Sequence, residues 1–235
     1  MTLAAVVLAT ALSYPIGVAL GSPWLLPVLN TAPGYLLMVA KLRAGDRRGA
    51  VIAVLLWAAT LGVCGTLCFA LWPSDPARIV VNGPAYKAEM FGWICTGAGS
   101  EGDWRLFLPQ HLLHLVAFVA LSLATASVCS ILLGAVLMNY MAFYVASLAR
   151  AGVPVGAVLL LGWQPWALCR VAAFCILGSV LAVPLLRRGL SGRYAELASA
   201  RGYVLAACAG IAADWLLKAA LAPSWGLALR KYLCL

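Results

Sequence analysis

Charge is what this sequence has little of. Only 10% of its 235 residues are Asp, Glu, Lys or Arg, while 65% are hydrophobic; an ordinary soluble domain carries about 25% charged and about 45–50% apolar residues. Such a chain cannot supply a water-facing surface for a globule of this size. Soluble, disordered and fibrous classes are therefore excluded, and a membrane protein is left. Acidic side chains are scarcest, seven against 16 Lys and Arg, a net charge of +9. The basic residues are scattered at the ends of apolar runs, which fits anchoring to anionic lipid head groups and argues against a nucleic-acid partner. Absent too are Cys-x-x-Cys, His-Glu-x-x-His, a Gly-x-Ser-x-Gly elbow and a phosphate-cradling loop, so no standard redox, protease, hydrolase or nucleotide motif is present.

What the chain has in quantity is long apolar runs. A crossing helix needs about 20 such residues. The spacing predicts an all-α transmembrane bundle with spans near 3–21, 23–41, 50–72, 106–126, 128–149, 166–186 and 203–222, all in one transmembrane domain covering 1–235. The first run has no Lys or Arg ahead of it, so it reads as a span rather than a secretory signal. From Leu106 to Ala149 the apolar stretch would be about 66 Å long as one helix, twice the hydrocarbon thickness. A turn is expected at Thr125-Ala126-Ser127, where small polar residues cluster without Gly or Pro. Before Trp166, the break Gly162-Trp163-Gln164-Pro165 suggests a short half-helix.

Orientation follows from the short basic loops. Lys41, Arg43, Arg47 and Arg48 in one, and Arg187, Arg188, Arg193 and Arg201 in another, should face the cytoplasm. The single long connection, 73–105, is slightly acidic and should lie outside. Seven spans with a cytoplasmic N-terminus satisfy these loops but leave Arg150, Arg230 and Lys231 outside, which keeps a six-span alternative open. Within the outer loop, Val81-Asn82-Gly83-Pro84 signals a turn and residues 85–94 a short interfacial helix. Trp72, Trp93, Trp104, Trp163, Trp166 and Trp225 fall at span ends, as an aromatic belt would. Gly17, Gly21, Gly62, Gly65, Gly134, Gly178 and Gly210 would permit close helix contact.

Of eight cysteines, six lie in spans and read as small apolar packing residues. Only Cys95 and Cys234 lie outside, both on the outer side, so a disulfide between them is expected.

The polar groups at membrane depth are few, and each costs about 2.5–3.5 kcal/mol on insertion scales if charged. Asp214 and Lys218 stand four apart on the last helix, acid first, the favourable order for an internal ion pair; a proton or ion path through Asp214 is the alternative. Arg170 can snorkel to the outer interface, or point inward to hold an anionic head group or to pair with Asp214. Asn139 and Gln164 are expected to hydrogen-bond between helices. His111 and His114, the only histidines, share one face of a helix opened by Pro109 and preceded by Gln110. With Glu89, Glu101 and Asp103 of the outer loop they could form a His and carboxylate set for a divalent metal or for acid-base chemistry. Interfacial hydrogen bonding, or haem or pigment ligation, are the other readings.

Met138-Asn139-Tyr140 closing one span after Gly134, and Pro165-Trp166-Ala167 opening an Ala- and Gly-rich span through Gly178, are similar to elements of the stage II sporulation protein M family of bacterial multispan proteins. The resemblance covers residues 106–186. Tyr140 stands where that family usually has Gly, Trp166 where it has His, and Arg170 near its Glu. The resemblance implies a similar helix arrangement and a non-enzymatic membrane component acting in envelope assembly or with a larger complex.

The function expected is thus a non-enzymatic subunit or permease-like component of a membrane complex, with lipid and other subunits or further copies as partners. The alternatives are a metal-dependent interfacial enzyme built on His111 and His114, and a haem- or pigment-carrying subunit.

Overall fold

A computed structural model describes residues 2–186 and 199–234. The basic positions Arg187, Arg188 and Arg193, with Glu196, lie outside the described residues. Among those described there is no strand, and seven helices are long and apolar enough to cross a membrane. In chain order the helices are α1 (Leu3–Leu20), α2 (Leu25–Arg43), α3 (Arg47–Leu71), α4 (Gly83–Thr96), α5 (Trp104–Thr125), α6 (Val128–Arg150), the short α7 (Val155–Leu161), α8 (Pro165–Leu181), one further turn Val183–Leu186, and α9 (Arg201–Leu233). The protein is a multi-pass helical bundle with seven spans; α4 and α7 do not cross.

Helix ends follow local chemistry. Gly21 adopts the left-handed conformation, φ 68°, that closes α1. Asp46 caps α3 by accepting from the Gly49 amide at 2.7 Å and also holds Lys41 at 3.0 Å. The turn at 125–127 forms without glycine: Ala126 and Ser127 both take positive φ, 49° and 67°, a conformation that costs a non-glycine residue about 1–2 kcal/mol. Side chains offset it. Ser127 Oγ donates to the Gly178 carbonyl at 2.7 Å, and Thr125 Oγ1 accepts from the Cys129 amide at 3.1 Å.

The centre is α3, which packs on α1, α2, α6 and α8. Close approach needs glycine at two places in particular. A Cβ on Gly34 would meet the Trp57 ring at 2.5 Å, and one on Gly65 would meet the Tyr14 hydroxyl at 2.6 Å. That hydroxyl lies 2.8 Å from Asn139 Oδ1 and 3.0 Å from the Leu61 carbonyl, donating its one proton between them. Asn139 thus joins helices, as its sequence position suggested. Gln164 does not: its amide nitrogen is buried without a partner.

The last helix corrects the sequence reading. It continues past residue 222 to Leu233, and its last turns lie against α4, where Arg230 donates to the Ile94 carbonyl. A disulfide joins Cys95, at the end of α4, to Cys234. The tryptophan belt is only partial: Trp93 is buried under that extension, against Gly226, and Trp166 is fully buried, while Trp104 is exposed. Gly134 and Gly21 are not contact glycines either, since a Cβ on each would meet open space.

Candidate functional site

The site begins with the entry of α5. Asp103 caps that helix by accepting from the Arg105 amide at 2.9 Å, so α5 starts at Trp104 and Pro109 sits inside it rather than opening it. His111 and His114, one turn further, face the same cavity as the spacing required. Arg170, a little over one turn into α8, lines that cavity as well, and Glu89, Ser100 and Glu101 line its polar end from α4 and the loop after it. Below them the walls turn apolar, with Phe118, Leu137, Phe174 and Trp57. The cavity measures about 90 Å³. Glu89 and Gln110 are exposed at its polar end; Gly134, Leu137 and Phe174 are half-buried along its apolar end.

A charge network fixes the polar end. Arg170 Nη1 donates to His111 Nε2 at 2.6 Å. A guanidinium cannot accept, so that ring nitrogen carries no proton and the neutral imidazole holds its proton on Nδ1. Nδ1 faces Asp214 Oδ2 at 3.3 Å, close enough to pair but too poorly aligned for a full hydrogen bond. Arg170 Nε lies 3.8 Å from the same oxygen. The Asp214 side chain is buried, and its other oxygen has no partner. The expected pair between Asp214 and Lys218 is therefore not made. Lys218 instead donates to Glu101 Oε1 at 2.8 Å and sits 4.6 Å over the Phe107 ring. Geometry across the bundle wins because an internal pair on one helix is worth only about 0.2–0.5 kcal/mol.

Arg170 accordingly does not snorkel; it points inward to Asp214 and His111. At the same end of the cavity, the Ser100 hydroxyl donates to Glu89 Oε1, tying the loop to α4. Tyr86 stacks near Tyr140, ring centres 4.5 Å apart. Burial, and then the charge of Glu101, push the Tyr86 phenol well above its ordinary pKa, so it remains a hydrogen-bond donor at any physiological pH.

His111, His114, Glu89, Glu101 and Arg170 thus share one cavity, Asp214 and Lys218 hold its walls from behind, and Asn139 lies elsewhere. Sequence reasoning missed Tyr86, Phe118, Phe174 and Gly134 as lining residues; no charge or spacing marks them. Among the described residues no three His, Cys, Asp or Glu side chains converge to hold a metal ion. Both His111 nitrogens and one Glu101 oxygen are already engaged by Arg170, Asp214 and Lys218. Compared with protein-family models, curated proteins and solved structures, the chain matches none.

Proposed function

We propose that the protein is a non-enzymatic, permease-like component of a membrane complex that admits an amphiphilic molecule between its spans. One observation carries this reading: the cavity is charged at one end and apolar at the other, with Gly134, Leu137 and Phe174 only half-buried along the apolar end. A polar head would sit among Arg170, His111 and His114, and a chain would run past Phe118 and Phe174 toward lipid. The basic 41–48 loop supports a cytoplasmic N-terminus in the cell membrane, with the 73–105 loop and this mouth outside. The resemblance to the stage II sporulation protein M family supports a role beside larger envelope assemblies, with partner subunits on the exposed faces of α1 and α5.

Gly134→Leu tests the reading. A Cβ there meets open space, so the leucine enters the cavity without touching the charge network, and the helix gains about 0.8 kcal/mol in propensity. Native mass spectrometry of protein extracted in mild detergent should show bound amphiphile on the wild type and at least tenfold less on the variant. Equal retention by both proteins, or none by either, refutes it.

A further inference from the structure

The charges around the cavity do not all cancel, and what remains describes a ligand. Glu101 is neutralised by Lys218 at 2.8 Å, and Asp214 is shared by Arg170 and His111. Arg170 spends Nη1 on His111 and Nε toward Asp214, and its Nη2 has no partner among the described residues. His114, half-buried in the same wall, has no hydrogen-bond partner among them either. Glu89 lines the same cavity, and among the described residues its carboxylate has only the Ser100 hydroxyl. The mouth therefore offers two spare donors, one uncompensated carboxylate, and a tyrosine pair, Tyr86 and Tyr140, in one lining.

Resting on the amphiphile reading above, we infer that the site selects a zwitterionic lipid head group carrying a phosphate and a primary ammonium, as phosphatidylethanolamine does. The phosphate accepts from Arg170 Nη2 and the His114 ring, and the ammonium donates to Glu89 beside the tyrosine faces. A head group with phosphate alone would leave the Glu89 charge facing a second anion, a repulsive element that gives the mouth its selectivity. The apolar lower walls favour a lipid over free phosphate as the source of that anion.

The test is competition for the purified protein between phosphatidylethanolamine, phosphatidylglycerol and inorganic phosphate, read as bound mass. The wild type should prefer phosphatidylethanolamine over phosphatidylglycerol by about two- to fivefold, the worth of one partly exposed ion pair. Glu89→Gln, at an exposed position where the amide oxygen can still accept from Ser100, should abolish the preference while keeping phosphatidylglycerol bound. Arg170→Gln, with Asp214→Asn to spare a lone buried carboxylate, should lower retention of both lipids about tenfold or more. Equal or stronger binding of phosphatidylglycerol to the wild type overturns the head-group assignment and leaves the amphiphile reading standing. Displacement of bound lipid by millimolar phosphate overturns the lipid source. No lipid on the wild type, or undiminished lipid on Gly134→Leu, sinks both.

Discussion

The pair between Lys218 and Glu101 makes the sharpest demand on the structure, because its two partners have unequal means of escape. Lys218 is 1% exposed on a spanning helix and Glu101 9% exposed on a loop. Replacing Glu101 with Met strands an ammonium within the bundle, a loss of about 3–5 kcal/mol. Replacing Lys218 with Met strands a carboxylate that the loop can release into water, so the cost is the charged hydrogen bond alone, about 1.5–3 kcal/mol. The double variant leaves two unbranched apolar chains where the pair stood, near neutral by the precedent of buried pairs exchanged for hydrophobes. Equilibrium unfolding in mixed detergent micelles gives the three differences, and amide exchange of residues 97–103 reports the loop. Lys218→Met should open the loop while keeping most of the stability; Glu101→Met should do the reverse in proportion. Additive effects in the double variant, or equal single losses with an unchanged loop, would refute the argument that this pair latches the loop to α9.

Two further outcomes are expected. Cys95 and Cys234 should resist thiol labelling until reductant is added, and the double Ser variant should unfold at lower denaturant; at a sequence separation of 139, chain-entropy accounting puts the ceiling at about 5 kcal/mol, less where the unfolded reference keeps its helices. Full labelling without reductant contradicts the bond. The Asp46 carboxyl is held below the usual carboxylate range first by the Gly49 amide and then by Lys41, so its contribution is present above about pH 4 and is lost as pH falls through the depressed value. The stability gap between wild type and Asp46→Ala should narrow on acidification from pH 6 to pH 3, and a gap constant over that range would count against the cap.

The spans were legible because bilayer thickness imposes a length that composition can be measured against. So was the 125–127 corner, though not its conformation: small polar residues marked the place, while the two positive φ angles depend on hydrogen bonds such as that from Ser127 to Gly178, 51 residues away. The site was legible only as an inventory. His111, Arg170, Asp214, Glu101 and Lys218 stood out as charges or imidazoles where apolar residues are the rule, but their pairing was not readable, since Glu101 and Lys218 are 117 residues apart and local spacing proposed a different partner. Trp93 and Trp166 were misread for a related reason. An indole suits an interface and a core equally well, and the helix that covers Trp93 extends past Pro223, where the apolar run looks finished.

The basic residues on the wrong side resolve by the same kind of contact. Arg150 seemed to violate the expected orientation, yet its guanidinium donates to the carbonyls of Phe69, at 2.9 Å, Trp72 and Ser74 at the end of α3. Arg230 donates to the Ile94 carbonyl at 2.7 Å near the end of α4. Both satisfy carbonyls that a helix C-terminus leaves without partners and lie where its dipole favours a cation. Their charge is committed to helix ends, so it is poorly placed to anchor a loop to anionic lipid, and neither should be weighed equally with the loop residues when counting for topology. At the other end of the bundle Arg47 reaches Ser199 at 2.9 Å, which sets the two basic loops on one face, while the disulfide sets the long loop and the C-terminus together on the other. Both contacts agree with the seven crossings that helix length and hydropathy give.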